Sequence, residues 1–299
     1  MCCVIESGTE LSNTVIYSAE VDHPTEDGVE TVHVLGYQNS VTAYRRGPNA
    51  MILPIPALGS LGPANVVDAS GFKDILSEYH QAIEHLKPKQ KSFSRSFSLS
   101  EDDDEDVLGA VAFEIIDSGA YTVALSNSAA GLNLALKEVP SNKRPHIPEA
   151  FLDELGRLYP EWPIAICCFD MQDMRGESTD PIFWWYRPRA GFENTLFAPA
   201  IDAHDGRPPR LDNLVRRDHT LIFGSKRAEQ LRLGAGIGDK LDRMIPAEHR
   251  WMFTSGIRGG FINNGNRTKN GDFTMLLDDV LDPKKSSFVN NFTVYQPSP

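Results

Sequence analysis

The sequence predicts an α+β fold, with a mostly antiparallel or mixed sheet and a few packed helices, on three observations. Strand-sized runs outnumber helical ones, turn residues rather than crossover helices join most of them, and two segments carry apolar residues at helical spacing. Size agrees: 299 residues suffice for one large domain or two modest ones, and 41% apolar with 9% aromatic residues is the composition of a folded chain.

The first elements are strands. Thr14 to Val21 and Thr31 to Gln38 carry β-branched and aromatic residues in partial alternation, and His23-Pro24-Thr25-Glu26-Asp27-Gly28 between them supplies a turn, so the pair reads as an antiparallel hairpin. Ala50 to Pro56 is apolar but holds two prolines, so a strand there is expected to lie at a sheet edge or to end in an irregular stretch. Phe72, Ile75, Leu76, Tyr79, Ile83 and Leu86 then fall on one helix face, with Ser70 as expected N-cap and Pro88 as expected stop.

A break in composition follows. Lys87 to Arg95 is basic, Ser96, Ser98 and Ser100 are candidate phosphorylation sites, and Glu101 to Asp106 is a block of acids that repels itself; an unstructured insertion is expected at about 87–108. Beyond it, strands are expected at Ala110 to Ile116 and Tyr121 to Ser126, and helices from Ala129 to Val139 and from Glu149 to Tyr159. Further strands are expected at Trp162 to Asp170, Pro181 to Tyr186, Thr195 to Asp202 and His219 to Phe223. Ser225 to Leu233 reads as a helix and Phe288 to Tyr295 as a closing strand. The expected organisation is a core over residues 1–225 and a C-terminal extension over 226–299 packed upon it.

A formal charge of −12 repels a phosphate backbone, so nucleic acid is not expected as a partner. Arg207, Arg210, Arg216 and Arg217, interrupted by Asp212 and Asp218, read as a solvated loop. No apolar run reaches the ~20 residues that span a bilayer, and Glu6 and Glu10 interrupt any leader, so a cytoplasmic protein that does not engage membranes is expected. The cysteines occur as two adjacent pairs, Cys2-Cys3 and Cys167-Cys168, unlike a secreted disulfide framework. A four-thiolate zinc site built from both pairs is the minor alternative to buried apolar thiols at Cys167 and Cys168.

Chemistry is best sought at Cys2. A small residue after Met1 favours removal of the initiator, which would set a thiol beside its own α-amine and supply nucleophile and base from one residue. An amine titrating near ~7.7 can accept the proton of a thiol near ~8.5. Such a nucleophile also needs oxyanion donors and a group that orients the amine. Asn49 or Asn39 is a candidate donor, and His204 or Asp205 in Asp202-Ala203-His204-Asp205-Gly206 is a candidate orienting group. The leading expectation is therefore an N-terminal-cysteine hydrolase of amide-like bonds, resembling N-terminal nucleophile enzymes, acting on a small molecule or peptide and needing no cofactor.

Two alternatives stand beside it. One is a non-enzymatic binding module that meets a protein or ligand through the acidic loop and the aromatic run Phe183-Trp184-Trp185-Tyr186. The other is a metal-dependent hydrolase using His204, Asp205, Asp218 and His219. Gly234 to Gly238 is no phosphate cradle, because a helix precedes it where a strand would be required.

Several segments, taken in order, carry a family resemblance: Val32-His33-Val34-Leu35-Gly36-Tyr37-Gln38, then Ala50 to Ala57, Gly71 to Leu76, Gly119 to Ser126, Trp162 to Phe169 and Leu196 to Ile201. Over residues 1–225 the chain resembles an uncharacterised bacterial family of exported proteins whose mature form starts near a cysteine. It is expected to depart from that family in having no export leader and in carrying the C-terminal extension. The resemblance implies a shared α+β scaffold and a recurrent cysteine near the mature start, and it brings no activity with it.

Overall fold

A computed structural model describes residues 2–3, 9–44, 46–88, 113–173, 179–203, 206–231, 237–262 and 267–297. The basic and acidic stretch at 89–112, the glycine run at 232–236, and His204 and Asp205 lie outside the described residues.

After the short strand β1 (Cys2–Cys3), β2 (Thr9–Thr25) and β3 (Gly28–Ala43) form the expected hairpin, with Ala19 opposite Val34. The hairpin is longer than its alternating cores, and Gly28 turns it at φ +137°, a conformation that disfavours a side chain. β4 (Pro48–Pro54) is an edge strand, with a proline at each end of it. β5 (Val66–Asp68) leads to α1 (Ile75–Leu86), which starts later than Phe72. Ser70 does not cap that helix: its N–H and hydroxyl both donate to the Asp68 carboxylate, holding Ser70–Phe72 in a separate tight turn.

β6 (Phe113–Ser118) and β7 (Tyr121–Ser126) pair around Gly119, and α2 (Ala129–Glu138) and α3 (Glu149–Leu158) follow as their periodicity predicts. β8 (Ile164–Asp170) and β9 (Ile182–Tyr186) also stand where expected. The strand predicted over Thr195 to Asp202 is broken into β10 (Thr195–Ala198) and β11 (Asp202–Ala203). Pro199 has no N–H to give a ladder, and the next two amides are diverted to a carboxylate described below. The remainder comprises β12 (Leu214–Val215), β13 (His219–Ser225), α4 (Lys226–Gln230), α5 (Gly238–Met244), β14 (Ile257–Ile262), β15 (Thr268–Lys269), β16 (Asp272–Leu276), α6 (Leu277–Leu281) and β17 (Thr293–Tyr295).

The fold is α+β. One sheet has the order β14-β13-β2-β3-β9-β5 and is antiparallel except where β13 runs parallel to β2; a second, β4-β8-β7-β6, is wholly antiparallel. Their facing sides form one core, with Ile16, Leu35, Tyr37 and Trp184 from the first sheet against Met51, Leu53, Val123 and Cys167 from the second. The alternate residues point away. Tyr17, Val34, Phe183 and Ile222 bury against α1, α5 and the turn Ala247–Met252, whereas Ala50, Ile52, Ile166 and Cys168 bury against α2 and α3. The result is four layers, helices outside two sheets. Residues beyond 225 are threaded through this architecture: β14 extends the first sheet and β16 pairs with β10.

Candidate functional site

The backbone of Cys2–Cys3 is paired. It runs parallel to β11, with Cys2 opposite Asp202 and Cys3 opposite Ala203, and passes beside β4, the strand that carries Asn49. The topology therefore brings the chain start next to two of the segments in which the sequence places site residues. His204 and Asp205, the next residues after Ala203, lie outside the described set.

What holds β11 in place is a buried polar knot. Asp272, fully buried at the start of β16, accepts the N–H groups of Ala200 at 2.7 Å and Ile201 at 3.1 Å and the hydroxyl of Tyr159 at 2.5 Å. Burial pushes its carboxyl above the usual range, and the Tyr159, Ala200 and Ile201 hydrogen bonds oppose that shift. Asn270 clasps Asp202 from both sides, accepting its N–H at 2.8 Å and donating to its carbonyl at 2.9 Å.

Arg217 completes the knot. It is 2% exposed and donates to the carbonyls of Ala200, Lys269 and Gly271, to the Thr268 hydroxyl and to Asn270 Oδ1, with its guanidinium over the Phe273 ring. The solvated-loop expectation is thus corrected for this residue: five oxygens in the fork geometry of a guanidinium are why a charge can sit there.

The other predicted residues distribute as follows. Asn49 is wholly buried; its Oδ1 accepts the Ala50 N–H at 2.9 Å and its Nδ2 faces the Met171 sulfur at 3.8 Å. Asn39 is likewise buried, bonded to Thr179 and the Met51 sulfur. His219 is buried at the start of β13, with Nδ1 3.9 Å from Asp218, and Asp218 accepts the Asn13 N–H at 2.8 Å. Among the described residues no group of three His, Cys, Asp or Glu side chains is placed to hold a metal.

Cys167 and Cys168 are buried thiols, as expected, and burial raises both above the ordinary range, Cys168 to about 12. The aromatic strand does not offer a stacking platform: Phe183, Trp184 and Tyr186 are buried in two core layers, and only Trp185 is partly exposed, stacked on His23 at 4.3 Å beside Trp251. A small cleft of about 160 Å³ lies between α4, α5 and the turn Ala247–Met252, lined in part by Lys226, Glu229, Asp242 and Arg250. Of the residues singled out by the sequence only Gly238, from the rejected glycine run, lines it; none of the predicted catalytic or metal-binding residues does.

Asp272, Asn270, Tyr159 and Arg217 were missed by sequence reasoning. The one available signal was a Lys269-Asn270-Gly271-Asp272 string that reads as an ordinary turn.

No family profile and no curated protein matches the chain. Among solved structures it is similar to one described as the crystal structure of baculovirus P35, at 13% identity and a TM-score of 0.47 with both chains covered in full. Likeness of that degree carries neither a fold nor an activity to this chain. Among the described residues no helix is long and apolar enough to cross a membrane.

Proposed function

We propose that the protein is a cytoplasmic hydrolase of amide-like bonds in which Cys2, freed of the initiator, is the nucleophile and its α-amine the base. What supports this reading is proximity alone: Cys2 stands opposite Asp202, two positions before His204, and the chain start passes beside β4, which carries Asn49. His204 or Asp205 orients the amine, and Asn49, on the neighbouring β4, serves as oxyanion donor only once its Nδ2 turns from the Met171 sulfur. The buried knot of Asn270, Asp272 and Arg217 supports the reading by giving β11 a rigid foundation, the condition for a site held to within a fraction of an ångström. The reaction proceeds by attack of the thiolate on the carbonyl, transfer of the proton through the amine to the leaving nitrogen, and hydrolysis of the resulting thioester by water.

The experiment is an intact-mass measurement of the purified protein followed by labelling with a thiol-reactive amide analogue. A chain beginning at Cys2, labelled there and unlabelled in Cys2→Ala, is the expected result. A retained or acetylated start, or labelling confined to Cys3 or Cys167, overturns it.

A second reading, a non-enzymatic interaction protein, is favoured by one observation: the first residues are taken up in strand pairing. Among the described residues its contacts would centre on Trp185 with His23 and Trp251, since the rest of the aromatic strand is buried. A folded protein that binds a partner unchanged after Cys2→Ala, and that turns over no amide substrate, would select this reading.

A further inference from the structure

Asn270 and Gly271 form the dipeptide most prone to spontaneous deamidation, because an unhindered glycine nitrogen can reach the asparagine carboxamide. Both residues are fixed by the structure. Asn270 is 1% exposed; its Oδ1 accepts from Asp202 N–H and Arg217 Nη2, its Nδ2 donates to the carbonyls of Asp202 and Arg210, and its own backbone bonds Asn213 and Gln296. Gly271 has no room for a side chain: a Cβ there would lie 2.6 Å from the Tyr295 carbonyl oxygen and 2.8 Å from Val294 Cγ1. Neither residue can be exchanged without loss of packing or hydrogen bonds, so the chemical liability is built into the platform that receives β1.

We propose that Asn270 is a modification site that deamidates only when the β11 platform opens, and that its conversion then prevents the platform from closing again. In the folded state four side-chain hydrogen bonds hold the carboxamide away from the conformation that cyclisation needs. When β11 and β16 separate, the Gly271 nitrogen attacks Asn270 Cγ, the Cγ–Nδ2 bond breaks and ammonia leaves; water then opens the succinimide to aspartate or isoaspartate. Aspartate lacks the two donors and turns a carboxylate oxygen toward the carbonyls of Asp202 and Arg210. Arg217, already donating to five oxygens, offers the new carboxylate no additional hydrogen bond in compensation. Isoaspartate lengthens the backbone between β15 and β16 by one bond and so displaces β16 against its partners β10 and β17. This inference stands apart from the hydrolase reading, since it concerns the folding of the platform and not the chemistry of Cys2.

The test follows the tryptic peptide that begins at Asn270, after Lys269, in wild-type protein held at neutral pH either folded or in denaturing guanidinium chloride. Deamidation at least roughly tenfold slower in the folded sample is expected, because the reaction must wait for local opening. Equal rates overturn the proposal. Modified molecules separated from folded stock by ion exchange should exchange their β11 amide hydrogens faster than unmodified ones, and equal exchange would refute the failure to close.

Discussion

Arg217 and Asp272 grip one residue from opposite sides: the guanidinium Nε donates to the Ala200 carbonyl at 2.8 Å while the carboxylate accepts the Ala200 N–H at 2.7 Å. The Ala200 peptide thus lies between the two charges. A peptide held at both its polar groups cannot slide, which fixes where β11 starts and hence where Cys2–Cys3 pair.

Removing the carboxylate should therefore cost more than removing any one of its partners. Asp272→Ala removes the carboxylate that accepts the Ala200 and Ile201 N–H groups and the Tyr159 hydroxyl in the buried knot, for an expected loss of about 3–5 kcal/mol. Tyr159→Phe removes one hydrogen bond to a charged group and should cost about 1.5–3 kcal/mol. Urea denaturation of both variants measures this, and a Tyr159→Phe loss equal to that of Asp272→Ala would contradict the scheme.

The hairpin, α2, α3 and β8 were legible because each is specified by apolar spacing within its own segment, as in Phe151, Leu152, Leu155 and Leu158 of α3. The knot was not legible because its partners are remote: Tyr159 and Asp272 are 113 residues apart, and Arg217 and Asn270 are 53 apart. A polar residue in a turn-like string looks solvated until its tertiary partners are known. The break between β10 and β11 was half legible: Pro199 is a local stop after Ala198, whereas the diversion of the Ala200 and Ile201 amides needs the remote Asp272.

His33 makes stability depend on pH. It is 1% exposed, and burial holds its imidazole down at about 4, with a Glu193 backbone hydrogen bond partly opposing the shift. Because the folded pKa lies below the unfolded value of about 6.5, the unfolded chain binds the extra proton between those limits. Stability is full above that window and is lost as the pH falls from about 6.5 to about 4, by about 3 kcal/mol in total. The difference between wild type and His33→Phe in denaturation midpoints across this range should follow that course, and a difference independent of pH would contradict it.

Gly36 and Phe183 face each other directly across β3 and β9, and a Cβ at position 36 would lie 2.3 Å from Phe183 Cε1. The ring lies over the glycine and meets Phe253 edge-on at 5.1 Å, so it has little freedom to withdraw. Gly36→Ala should destabilise by about 1–3 kcal/mol through overpacking. In a Phe183→Leu background the same substitution should cost at least about 0.5 kcal/mol less, the coupling expected of residues in contact. A double-mutant cycle with no coupling would place the cost of the alanine elsewhere.

Cys167 and Cys168 should be silent toward alkylating reagents while the protein is folded. They alternate into opposite core layers of β8, and burial raises Cys168 to about 12 and Cys167 further. Against an ordinary thiol near ~8.5, a group at about 12 holds roughly 10³-fold less thiolate, before any barrier to entry of the reagent is counted. Iodoacetamide at mildly alkaline pH, quenched and mapped by mass spectrometry, should leave both residues unmodified in native protein and modify both after unfolding. Native alkylation of Cys168 would mean that the packing of α2 and α3 over β8 opens on the timescale of the reaction. It would also remove the background of unreactive thiols against which labelling at Cys2 is to be read.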